Sequence, residues 1–261
     1  MGEFELRIAL AVLVCLVLPI SLTFWWVRRR ERREDRKHYE ALAALTASIG
    51  GVVIGRDEAT AWSTGLRPPF KTHVGGLINW MGTVRKPRFE TALDFRRDGW
   101  QVRVSEASMR RAVSNGTSTF YEHRIDVATA PLPPMKLHRR LHTDFRGRPV
   151  KPDSILALGG KPVREAPVTV AQQQGQWLEV NLPLSVSTDW VAFSSAPQGA
   201  PLTPEALEWL SRNTGALPWG LTFESGLLYA TWPTRIQPQT LLTTVDAMLG
   251  LLDRIPGARR G

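Results

Sequence analysis

Hydrophobic and polar positions change rhythm several times along this chain. From Leu6 to Val27 the run LRIALAVLVCLVLPISLTFWWV carries a single charge, Arg7, at its edge. As a helix it is long enough to cross a hydrocarbon core, which needs about 20 apolar residues. Pro19 fits within such a span, because neighbouring groups and small local adjustments re-satisfy the carbonyl it frees. Tyr39, Leu42, Leu45 and Ile49 then recur at helical spacing in an alanine-rich stretch that stops at Gly50-Gly51. The same helix is therefore expected to leave the membrane as a short stalk. Residues 52–88 mix Gly, Pro and isolated aromatics without a period, which predicts loop with short strands.

Regular alternation begins at Phe89. Phe89, Thr91, Leu93 and Phe95 alternate with polar residues, Asp98-Gly99 is a favoured two-residue turn, and Trp100, Val102 and Val104 resume the pattern. The hairpin so defined sets Phe95 opposite Val102 and Leu93 opposite Val104, with one apolar face. FYEHRIDVATA predicts a further strand before Pro131, Pro133 and Pro134. WLEVNLPLSV predicts another, with Leu178, Val180, Leu182 and Leu184 alternating and Pro183 marking a sheet edge. Thr203-Pro204-Glu205 opens a helix, Thr as cap and Pro at the first helical position, with Leu207 and Leu210 facing inward. LTFESGLLYATW reads as a hairpin about Ser225-Gly226. After Gln237-Pro238, the stripe Leu241, Leu242, Val245, Met248, Leu249 and Leu252 predicts a helix stopped by Pro256-Gly257.

Strands first, helices late and no regular βαβ repeat indicate an α+β fold. The expected architecture is an N-terminal transmembrane helix continuing into a stalk helix, then a mainly antiparallel sheet with hairpins and two C-terminal helices. Its divisions are 1–5 outside the membrane, 6–27 spanning it, 28–50 as basic collar and stalk, 51–88 as irregular linker, 89–256 as the α+β domain and 257–261 as tail.

Charge gives the span a direction. Residues 28–37 hold seven basic groups (Arg28, Arg29, Arg30, Arg32, Arg33, Arg36, Lys37) against three acidic ones, a net of +4, whereas residues 1–27 net −1. Lys and Arg beside a span stay on the cytoplasmic side, so the N-terminus is expected outside and the domain inside. Trp25 and Trp26 close the apolar run where amphipathic rings favour headgroups. Together with Arg28, Arg29, Arg30, Arg32 and Arg33 they form the expected membrane interface. A cleaved signal peptide wants a positive start, a shorter apolar stretch and a small-residue cleavage site. Here MGEFELR is acidic on balance and arginine follows the run, which favours a retained anchor. The only cysteine, Cys15, lies in the span, so the domain has no disulfide framework. Asn115-Gly116-Thr117 is then a turn rather than a glycosylation site.

The chain carries +9 overall, of which residues 38–261 hold +6. A basic domain beside an inner leaflet is drawn to anionic lipid headgroups. The bilayer is thus the expected partner, anionic headgroups and an unidentified protein are further ones, and nucleic acid is disfavoured because the basic residues beyond position 37 are spread and no binding motif accompanies them.

Catalytic and ligand signatures are weak throughout. Gly50 to Asp57 superficially resembles a phosphate-binding loop but lacks its Lys-Ser/Thr pair. His138 and His142 stand four apart, as two metal ligands on a helix would, yet no Glu follows the first and no cysteine is available nearby. No G-x-S-x-G elbow is present. No catalytic residue, metal or cofactor is assigned. Of the ten tryptophans, most read as core, while Trp62 and Trp80, in the irregular segment, could line a partner surface.

The succession TALDFRRDGWQVRVSEA, HRIDVATAPLPPMKLHRR, DWVAFSS with LTPEALEWL, LTFESGLLYATW and VDAMLGLLDRIP, over residues 89–256, resembles uncharacterised bacterial single-pass membrane-anchored proteins with a cytoplasmic α+β domain of unknown function. That resemblance implies the architecture and no activity. The expected function is a membrane-tethered, non-catalytic interaction or scaffolding module; the alternative is a membrane-anchored hydrolase or transferase with a dispersed, motif-free site.

Overall fold

The computed structural model describes residues 3–70, 83–114, 116–142, 160–161, 177–196 and 201–259, with the side chains of residues 3–20, 23, 24, 27, 31, 83, 141, 142, 160 and 161 outside the description. The chain forms two compact units, Met1–Leu45 and Thr46–Gly261. The first is most of a single helix, α1 (Glu3–Ser48). It runs without a break through the apolar stretch, the arginine collar and the alanine-rich stretch, and Pro19 does not interrupt it. Among the described residues no helix is long and apolar enough to cross a membrane; for most of the apolar run, Leu6 to Ile20, the side chains lie outside the description. Gly50, at φ +66°, supplies the left-handed residue that ends the helix.

The second unit is α+β, built on one large antiparallel sheet. Its strands are β1 (Val52–Gly55), β2 (Thr83–Arg97), β3 (Trp100–Val113), β4 (Gly116–Ala128), β5 (Met135–Arg139), β8 (Leu178–Val180), β9 (Trp190–Ser194), β10 (Gly220–Glu224) and β11 (Leu227–Trp232), in the order β1-β2-β3-β4-β11-β10-β5-β9-β8. Two short strands, β6 (Leu141–His142) and β7 (Gly160–Lys161), pair separately. The helices are α2 (Leu184–Ser187), α3 (Pro204–Arg212) and α4 (Pro238–Leu252).

Both predicted hairpin turns form. Asp98-Gly99 and Ser225-Gly226 have positive φ at both residues, the twist that matches two right-handed strands. Phe95 pairs with Val102 and Leu93 with Val104. Phe89 departs from the expected alternation: a register shift between Phe89 and Thr91 sends its ring to the opposite face, into a cluster with Ala92, Ala107 and Met109. WLEVNLPLSV also differs. Only Leu178–Val180 is strand, lying at the sheet edge, and Pro183 caps α2. Pro fixes a φ that suits a helix start, and Leu184 is left exposed.

The sheet has two unlike faces. One carries Leu93, Val102, Val104, Ile125, Val127, Leu221, Phe223 and Leu228, all buried, and is covered by α4, tied at both ends. Glu106 accepts the Ile236 amide at 2.8 Å, and Trp100 Nε1 donates to Asp253 at 3.1 Å. Leu241, Val245, Met248, Leu249 and Leu252 of α4 are buried as their spacing predicts. Thr203 caps α3, its hydroxyl accepting from Ala206 N at 3.1 Å. The opposite face joins the Phe89, Ala92, Ala107 and Met109 cluster to buried charged residues, and it holds the arrangement least expected from the sequence.

Candidate functional site

Two features carry most of the chemistry. The first is the collar. Trp25 and Trp26 are exposed, as are Arg28, Arg29, Arg30, Arg32 and Arg33. Helical spacing puts residues four apart on one stripe, and the guanidinium of Arg29 lies over the Trp25 ring at 4.9 Å while that of Arg30 lies over Trp26 at 5.9 Å. Of the three acidic groups expected to offset the collar, Glu34 bonds Arg30 at 2.9 Å. Arg32 and Arg33 make no ion pair among the described residues.

The second feature is a buried polar clamp on the sheet. Alternation along β4 puts Glu122, Arg124 and Asp126 on one face, and all three are buried. Over them passes the segment 59–70, containing a 3₁₀ turn at Trp62–Gly65. Asp126 accepts from the Ser63 amide at 3.2 Å and from its hydroxyl at 2.7 Å. Arg124 donates to Ser63 Oγ at 3.2 Å, to the Arg67 carbonyl at 2.6 Å and to Glu122 at 3.0 Å. Glu122 also accepts the Phe70 amide at 2.9 Å. From β3, Arg103 pairs with Asp94 and donates to the Thr60 carbonyl at 2.8 Å, its guanidinium over the Trp62 ring. Phe70 holds a left-handed φ of 57°, costly for a bulky residue; its bonded amide and buried ring offset that cost.

Burial sets the protonation of the surroundings. Desolvation raises the Asp126 carboxyl, against the Ser63 and Arg124 contacts that lower it. Burial, then the Glu224 carboxylate, push the Tyr229 phenol above its usual range, and its hydroxyl donates to Glu224 at 3.2 Å. Burial, then Lys136 and Arg67, push His138 down to about 4. Ser105, Arg124 and Thr231 form one cross-strand row, and each has a side-chain atom sealed from solvent without a partner. Ser105 and Arg124 are fully buried, and Thr231 is half-buried.

The remaining sequence candidates are placed as follows. His138 lies on strand β5, not on a helix, and His142 belongs to the separate β6; its side chain is outside the described residues. Four-residue spacing brings two side chains onto adjacent turns only in a helix, so the metal-pair reading has no geometric basis. Among the described residues no group of three His, Cys, Asp or Glu is placed to hold a metal ion. Gly50 to Asp57 runs from helix to strand, the reverse of a phosphate loop, which opens a helix. Trp62 is part-buried under Arg103; Trp80 and Asn115 lie outside the described residues.

Sequence reasoning missed the clamp. Its one local signal was EHRID within a predicted strand, which puts three charges on one face. That pattern reads equally as a solvated face, because the covering segment lies some sixty residues away. No family model, curated protein or solved structure matches this chain.

Proposed function

We propose that this chain is a single-pass, membrane-tethered protein whose α+β domain lies on the cytoplasmic side and serves as a non-catalytic interaction or scaffolding module. The observation that carries this reading is the continuity of α1: one helix joins the apolar run, the exposed Trp25-Trp26 pair and the arginine collar. Rings at the end of an apolar run suit the headgroup region, and guanidinium groups one turn further along suit phosphates on the cytoplasmic side. The buried charges of the domain favour the non-catalytic reading. Both carboxylates of the clamp are bonded to the segment 59–70, so their role is to hold a loop to the sheet.

The test is a pair of fusions after Gly261 in living cells. A reporter active only in the cytoplasm is expected to work, and one active only outside to be silent. The reverse pattern, or release of the chain from membranes by alkaline carbonate, rejects the reading.

A further inference from the structure

Burial fades along β2, β3 and β4 toward a shared tip. On β3 it passes from continuous burial at Val104–Met109 to exposure at Ala112 and Val113, and β4 starts exposed and becomes buried only from Glu122. The register joins Thr83 to Arg111 and Arg111 to Ser118, so this end is a three-stranded ribbon largely uncovered on both faces. Residues 83–89 and 108–121 contain five basic side chains, Arg85, Lys86, Arg88, Arg110 and Arg111, and no acidic one. Glu90, which adjoins these residues, is already shared by Arg56, Arg85 and Arg88. Among the basic side chains stand exposed apolar ones: Val84 at 59%, Val113 at 40% and Phe120 at 37% relative exposure.

We propose that this ribbon tip is a docking surface for an anionic lipid bilayer. A solvated basic face has no use for exposed Val and Phe, and a nucleic-acid backbone would take the charges but not the aliphatic side chains. A membrane surface takes both, phosphates pairing with the guanidinium and ammonium groups and apolar tips entering the acyl boundary. The ribbon would thus give the α+β unit a lipid contact of its own. It goes beyond the tether reading and does not depend on it, since the ribbon's chemistry is complete without α1.

The experiment uses the full chain carrying Cys15→Ser and Ser114→Cys, labelled at the exposed ribbon turn with an environment-sensitive fluorophore and reconstituted into vesicles. In phosphatidylcholine containing phosphatidylglycerol the emission is expected to shift to the blue, to return as salt is raised, and to remain unshifted in pure phosphatidylcholine. Lys86→Gln/Arg110→Gln/Arg111→Gln is expected to abolish the shift with the thermal melt unchanged. No shift in anionic vesicles overturns the proposal, as does an equal shift in neutral ones or a shift given by duplex DNA in detergent but not by anionic lipid. Carbonate extraction of the same vesicles reads the tether separately: a retained chain without a shift rejects the ribbon alone, and a released chain that had shifted rejects the tether alone.

Discussion

Arg124 shows how one side chain can fix a segment remote in sequence. Fully buried, it bonds Ser63, Arg67 and Glu122, and its removal would leave Glu122 as a buried charge without its counter-ion. Breaking a buried pair by deleting one partner costs about 3–5 kcal/mol, because the remaining charge is uncompensated. Arg124→Ala is therefore expected to lower urea stability by about that amount. Hydrogen exchange at the Ser63 and Phe70 amides should speed up beyond what global unfolding explains. A loss under about 1 kcal/mol with unchanged exchange would mean that apolar contacts of Phe70 hold the segment instead. Phe89 carries a related lesson. Its alternation was legible but its face was not, since a single extra residue in a bulge reverses side-chain direction downstream, and no local signal near Glu90 announces one.

At the level of elements, legibility followed the range of the determining interactions. The two hairpins, the capped start of α3 and the proline-led start of α4 are set by residues within a few positions of one another, and they formed as read. How α3 meets α4 depends on long-range fit. A Cβ on Gly250 would lie 2.4 Å from the Trp209 ring, whose Nε1 donates to the Ala247 carbonyl at 3.0 Å. This glycine is therefore a contact surface for the indole and not a breaker in the α4 stripe. Gly250→Ala is expected to destabilise the unit by about 1–3 kcal/mol through overpacking, even though alanine is the better helix former. Leu249→Ala, emptying a buried site on the same helix, is expected to cost about 2–5 kcal/mol. Both are measured by thermal melting of the fragment 46–261. A stabilised Gly250→Ala variant would show that the two helices separate readily.

For the molecule as a whole, the polar sheet face makes stability depend on pH in a direction that can be worked out. His138 opposes Gly220 across the strand pair, its ring 3.0 Å from where a Cβ there would sit. Its buried Nε2 has no partner, so a proton added there would have no acceptor and would face Lys136 and Arg67. With the folded value near 4 against 6.5 unfolded, the unfolded chain takes up a proton that the folded one refuses. Stability is then full above pH 6.5 and falls between 6.5 and 4, by about 3 kcal/mol at most. Glu90 is lowered despite its burial, by the Ser108 hydroxyl and Arg88, and adds a loss as pH falls below its ordinary 4.5. Asp126, raised by burial, acts in the opposite sense, since its neutral form is favoured in the folded state, and it softens the acid loss. His123, which burial also pushes down, acts in the same sense as His138, so the loss that begins at pH 6.5 belongs to both histidines. Urea titrations of the fragment 46–261 are expected to show a midpoint that drops steadily as pH falls below 6.5, and His138→Leu is expected to make that drop shallower. An unaltered slope in the variant would assign the acid sensitivity to His123 and the carboxylates and show that His138 meets water when the sheet face breathes.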